Sequence, residues 1–203
     1  LETSKCVSEA SGWSPFHLIV KNKTKVIAVM PLYLKTDSQG EFIFDWSWAD
    51  AYYRNGLNYY PKLVSSIPFT PASGPRLSIK KGIKRKEITE LVYQAIENVS
   101  DKLDLSSMHV LLPETSELEG FLKVGFSLRT SYSFHWFNNK YEVFDDFLCD
   151  LTSRQRKNIK KERQKINAQG IKIERVRGKD ISEEMIVCFY DFYQVTYLKR
   201  GMS

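Results

Sequence analysis

The chain has 203 residues, 42% of them hydrophobic and 13% aromatic, enough for one full core and part of a second. Its net charge of +6 favours anionic partners, and the bases concentrate at 80–86 and 154–165. Cys6, Cys149 and Cys188 are odd in number and widely spaced, with no CxxC or Cys/His ligand spacing, and fit a reduced, cytoplasmic protein better than a disulfide framework. No apolar run reaches the length of a membrane span, and no signal peptide is visible.

In chain order, 1–15 reads as a helix end and a turn closing at Gly12 and Pro15. The β-rich runs 17–20 and 25–35, joined by the polar turn KNKT, predict a hairpin. A third strand is expected over 41–46, and a short helix over 48–55 with Gly56 as its cap. A fourth strand covers 62–69. A loop stiffened by Pro68, Pro71 and Pro75 follows, and then the short extended piece PRLSI. Apolar residues at Ile88, Leu91, Val92, Ala95, Ile96 and Val99 predict a helix over 86–99 with one buried stripe. The run 108–112, apolar except for His109, predicts a central strand. A helix over 116–123, ended by Gly125, and a long final strand over 126–137 complete this part. Composition shifts near 140. Residues 144–168 read as one or two helices, IKIERV as a strand, and 181–199 as an aromatic-rich helix. The alternation of strands and helices predicts an α/β layer structure.

The chemistry concentrates in FDWSWADAYYRNGLNYYPKLVSSIPFTPASGPRL, where rings surround the acids Asp45 and Asp50 and bases that include Lys62 and Arg76. Rigid aromatic walls with a few charged groups are what a ligand cleft needs. Asp50 and Asp45 are the candidate catalytic carboxylates, with burial expected to raise the pKa of either. Asp50 is preferred, and helix capping is the competing role for both. Tyr60 joins them as a candidate acid, while Trp46, Trp48, Tyr52 and Tyr53 are candidate substrate walls. Lys62 and Arg76 can hold a carboxylate or phosphate, against a reading as exposed charges. Thr70, Ser73 and Gly74 can offer hydroxyl and N–H groups, or form a plain turn. Lys81, Gly82, Lys84 and Arg85 lead into a helix N-terminus and form a candidate phosphate site on the donor. Arg154, Arg156, Lys157, Lys160 and Lys161 give a helix suited to a nucleic-acid backbone, although a soluble basic helix would look the same. The three histidines show no ligand or triad spacing, and no metal motif is present.

FLKVGF and the element order over 62–137 resemble the second half of the GNAT acyltransferase fold, although the loop lacks that fold's R/Q-x-x-G-x-G/A. LTSRQRKNIKKERQKINAQGIKI resembles the Fem peptidyltransferase signature at Arg156, Asn158, Ile159, Lys160 and Gly170, with Glu162 replacing a small residue. Together with FDWSWADAY, YYPKL, PFTPASGPRL and FHWFN, the chain is similar throughout to the FemAB-like family of N-acyltransferases, linked to peptidoglycan biosynthesis or recognition. The resemblance implies a GNAT-like domain over 1–140, with an incomplete start. It also implies a basic helix and the beginning of a truncated second GNAT-like domain over 141–203. It implies transfer of an acyl or aminoacyl group from acyl-CoA or aminoacyl-tRNA to an amine, with no tightly bound cofactor. Donor binding is expected at 70–86 and acceptor binding against the 44–60 rings. Transfer is expected to be direct, since no activated nucleophile stands out. The alternative is a non-catalytic module that binds peptidoglycan or RNA.

Overall fold

The structure, a computed structural model, describes residues 1–200. It is α/β and divides into two compact units, 1–132 and 133–203.

The first unit carries two sheets. β1 (Trp13–Pro15), β4 (Tyr33–Lys35), β5 (Lys62–Ser65) and β7 (Met108–Val110) form a four-stranded mixed sheet in the order β1-β4-β5-β7. β5 and β7 are its parallel pair, and its other pairs are antiparallel. β2 (Leu18–Asn22), β3 (Lys25–Met30) and β6 (Ser78–Ile79) form a separate antiparallel sheet of three strands. The expected β2–β3 hairpin is present. The continuous run expected over 25–35 breaks at Pro31, which cannot donate to a ladder, and β4 crosses to the other sheet. The one central sheet expected from the sequence is therefore two.

The helices follow the apolar spacing. α1 (Trp46–Arg54), α2 (Arg85–Leu103) and α3 (Thr115–Lys123) lie in the first unit. α4 (Phe144–Cys149), α5 (Ser153–Ala168) and α6 (Glu183–Leu198) lie in the second. α2 buries Ile88, Val92 and Ile96 against Leu63, Met30, Leu77 and Phe121, as its stripe requires. Thr152 caps α5 by accepting from the Gln155 amide, and Ser182 caps α6 in the same way through Met185.

Three expected strands are absent. Residues 41–45, 126–139 and 171–177 have no ladder partner among the described residues. β7, expected at the centre of its sheet, stands at the edge. Apolar alternation makes a strand available, but only a neighbouring edge makes one.

Candidate functional site

Alternation along β5 places Lys62 and Val64 on one sheet face and Leu63 on the other. The register extends the first face: Trp13 lies opposite Lys35, Lys35 opposite Lys62, and Val64 opposite His109. Leu63 and Met108 enter the main apolar core, while Val64, Trp13 and Tyr33 form a second cluster with Val7 and Leu111. Two fully buried lysines thus sit side by side beneath the turn 37–41.

That turn is held from below. Trp13 Nε1 and Lys35 Nζ both donate to the Gln39 carbonyl, at 3.1 and 3.2 Å, and Lys35 also reaches Asp37 at 3.2 Å. Gly40, at φ 75°, lies under the Phe69 ring, where a Cβ would come within 2.6 Å of ring carbons. The turn therefore delivers Glu41 inward. Lys62 Nζ donates to Ser38 Oγ and Glu41 Oε2, each at 3.0 Å, and to Asp45 Oδ2. Tyr59 donates to the same Asp45 oxygen at 2.6 Å, and the His109 Nε2 atom lies 3.3 Å from the Tyr59 hydroxyl. Ser107 Oγ and His109 Nε2 form the next link at 3.0 Å. A hydrogen-bonded chain therefore runs from Glu41 through Lys62, Asp45, Tyr59 and His109 to Ser107.

The carboxylates of this network behave differently. Burial drives the Glu41 carboxyl up to about 7, against the pull of Lys62. Burial also pushes Asp45 up, but hydrogen bonds from Lys62, Ser38 and Tyr59 outweigh it and hold Asp45 below the usual carboxylate range. The raised pKa expected for Asp45 is thus reversed. Burial, with Lys62 nearby, pushes His109 down to about 4, so its imidazole is neutral at pH 7. Burial and the Asp45 carboxylate push the Tyr59 hydroxyl up. Glu41 Oε1 and Asp45 Oδ1 are buried and have no hydrogen-bond partner among the described residues.

The sequence-selected residues separate around this network. Asp45 precedes the first residue of α1 but makes no capping hydrogen bond, because its carboxylate is turned inward to Lys62 and Tyr59. Lys62 is neither a substrate clamp nor an exposed charge, since its ammonium is spent on buried partners. Tyr60 is half-buried, with its hydroxyl 2.7 Å from Ser38 Oγ. Asp50 is exposed and pairs with Arg54 one turn later on α1, away from the buried carboxylates. The burial expected for Asp50 is therefore absent, and the buried carboxylates of this network are Glu41 and Asp45. α1 buries none of its residues: Trp46, Trp48 and Tyr53 are exposed and Tyr52 is half-buried. Tyr52 packs edge-on against the buried Tyr59 ring at 5.1 Å, while Trp46 and Tyr53 face solvent from one side of the helix and Trp48 from another.

Arg76 is buried and closed off. Its side chain donates to the carbonyls of Leu111, at 2.8 Å, and Ala72, at 2.7 Å. The backbone amides of Arg76 and Leu77 donate to the buried Glu117 carboxylate at 2.8 and 2.9 Å, so that anion position is already filled from within the fold. Arg85 approaches the same carboxylate at 3.4 Å. Asp50, Tyr60 and Arg76 accordingly have separate partners and do not line one cavity. Thr70 and Ser73 are exposed, the Thr70 hydroxyl bonding the Pro68 carbonyl at 3.2 Å, while Gly74 bridges to Pro113. Lys81 and Gly82 are exposed in the turn before α2, and Lys84 pairs with Glu87.

In the second unit, Arg154, Lys157, Lys160 and Lys161 are exposed on α5. Arg156 departs from the expectation: its guanidinium donates to the carbonyls of Leu148, Cys149 and Leu151 and caps the end of α4.

Glu41, Tyr59, His109, Ser107 and Glu117 do not stand out in the sequence. Tyr59 lies inside the aromatic stretch but has no distinguishing spacing. His109 and Ser107, two apart on the β7 approach, share a face once the strand is placed. Glu41 reads as part of a strand, so nothing signals its inward turn.

The family model for FemAB-like proteins, described as peptidoglycan biosynthesis/recognition, matches residues 1–203, the whole chain. The chain belongs to the FemAB-like family. No curated protein and no solved structure matches it. Among the described residues, no helix of this FemAB-like chain is long and apolar enough to cross a membrane.

Proposed function

We propose that this chain is a Fem-like N-acyltransferase that moves an acyl or aminoacyl group onto an amine, with a GNAT-like arrangement of β5, α2, β7 and α3. Family membership supports the peptidoglycan setting. The observation that carries the transfer reading is the buried Lys62 network, with a carboxyl held near neutrality and a hydrogen-bonded path to Ser107. An amine attacking an acyl carbon must lose a proton. A base titrating near the working pH serves that step better than one at ordinary carboxylate values. The Tyr59 hydrogen goes to Asp45, so the link to neutral His109 is an Nε2–H shared between the Tyr59 and Ser107 oxygens. In this reading Asp45 and Lys62 position Tyr59, and Glu41 is the base of the network, passing from carboxylate to neutral acid as it takes up the proton the amine loses. The donor is an aminoacyl-tRNA, which the exposed α5 cations suit, or an acyl-CoA.

The deciding experiment supplies radiolabelled aminoacyl-tRNA and, separately, acyl-CoA, with peptidoglycan-precursor peptides as acceptors. Label appearing on the acceptor amine with one donor supports transfer. Its absence with both leaves the second reading, a recognition module without turnover. One observation favours that reading: Trp46 and Tyr53, seven residues apart, are both exposed on one side of α1, as rings that stack on sugars or peptides are. A module of this kind binds peptidoglycan and loses binding in Trp46→Ala/Tyr53→Ala.

A further inference from the structure

We infer that Arg76 and Gly74 form a binding site for a carboxylate, beyond the carboxyl end of the parallel β5–β7 pair. The site is independent of the transfer reading. Arg76 is 3% exposed, and its guanidinium nitrogens are treated unequally. Nε and Nη2 are engaged by the carbonyls of Leu111 and Ala72. Nη1 has no hydrogen-bond partner among the described residues and remains open to solvent.

The charge of Arg76 is also unbalanced. A buried cation is ordinarily paired with an acid. Both partners of this guanidinium are neutral carbonyls, and no carboxylate of the described residues pairs with it. The neighbouring acid, Glu117, accepts from the backbone amides of Arg76 and Leu77 and pairs with Arg85 instead. Arg76, Arg85 and Glu117 together leave a single positive charge, which a monoanion balances. Burial pulls the Arg76 guanidinium below its ordinary pKa, and Glu117 offsets this only in part. A carboxylate against Nη1 relieves that penalty.

The space for it lies at Gly74. A Cβ on Gly74 would stand 3.4 Å from Nη1 and within 4 Å of no other atom beyond its chain neighbours. The bare face of this glycine is therefore open, with the N–H groups of Nη1 along one side. The surrounding chain is fixed before any ligand arrives. Pro71 and Pro75 stiffen the loop, the Gly74 amide donates to the Leu112 carbonyl at 3.2 Å, and Gly74 bridges to Pro113. A site held in this way loses little freedom on binding. It also lies where open α/β sheets take their ligands, outside the carboxyl ends of parallel strands. A phosphate dianion carries more charge than Arg76 leaves unbalanced and calls for several donors, where one nitrogen is offered.

The test follows backbone amide NMR shifts of the full chain during titration with N-acetylglycine at pH 7. A parallel titration uses its primary amide, which lacks the charge, and sodium chloride holds ionic strength constant. The acid is expected to shift Ala72, Ser73, Gly74, Arg76 and Leu112 saturably, and the amide to leave them in place. Gly74→Ala keeps every charge and sets a methyl group against Nη1. Gly74 does not have a positive φ, so this variant is expected to fold, checked by its melting temperature, and to bind the acid about tenfold more weakly. Equal shifts with both compounds, saturable shifts confined to other residues, or undiminished affinity in folded Gly74→Ala overturns the inference. Inorganic phosphate binding at the same amides as tightly as the acid overturns the choice of a carboxylate. Sodium chloride moving those amides and abolishing the effect of the acid reduces the site to an adventitious ion only, which also overturns it.

Discussion

At the scale of single residues, Lys62 is the most constrained charge in the first unit. It is fully buried against Glu41 and Asp45, with Ser38 and the Tyr59 and Tyr60 rings around it. Removing one partner of a buried ion pair strands the others. Lys62→Met is therefore expected to cost about 4 kcal/mol in chemical denaturation at pH 7. Glu41 gives a signature with a defined sign. It holds its proton more tightly folded than unfolded, so its contribution to stability is full below the ordinary value of 4.5 and fades as pH rises to about 7. Asp45 has the opposite sign: its contribution is present above the ordinary value of 3.8 and is lost at lower pH. The two windows do not overlap. Glu41→Gln is expected to flatten the decline between pH 4.5 and 7, worth about 3 kcal/mol, with denaturant midpoints measured across that range. Asp50→Asn, by contrast, breaks only an exposed pair on α1 and is expected to move stability by no more than about 0.5 kcal/mol. The sequence picks out Asp45, Lys62 and Tyr60 by their neighbours. It does not show Glu41, because the inward turn of that side chain depends on Trp13 and Lys35 gripping a carbonyl 26 and 4 residues away in sequence.

At the scale of elements, helices and strands were legible to different degrees. The stripe of Ile88, Val92 and Ile96 locates α2 because a helix satisfies its own backbone and needs only one apolar face to dock. α1, α3, α5 and α6 also fall where spacing places them. The runs at 41–46 and 126–137 have comparable local character yet remain irregular, since a strand needs a partner edge that local sequence does not specify. α1 shows a further limit of composition: its rings read as a wall, and Trp46, Trp48 and Tyr53 face outward. The turn that feeds the site depends on Gly40, whose positive φ and closeness to the Phe69 ring leave no room for a side chain. Gly40→Ala is expected to cost about 2 kcal/mol or more and to lower the melting temperature, whereas Gly56→Ala, with open space around it, keeps only the cost of its positive φ.

At the scale of the molecule, the chain is two compact units of one FemAB-like protein, and the chemistry proposed here lies in the first. The exposed cations of α5 belong to the second. If they track an RNA backbone, affinity for tRNA falls steeply between low and moderate salt. Changing Arg154, Lys157, Lys160 and Lys161 to Gln then reduces that slope by about one unit for each phosphate no longer neutralised. The family resemblance was legible because it rests on separated motifs that survive without any knowledge of geometry. The buried network was not, because the inward turn of Glu41 depends on contacts made far away in the sequence. The most direct test is the transfer assay run on Glu41→Gln and Asp50→Asn side by side. The buried network predicts that Glu41→Gln loses at least about tenfold in turnover at pH 7 while Asp50→Asn stays within about twofold of the parent. Loss in Asp50→Asn with full activity in Glu41→Gln would contradict it.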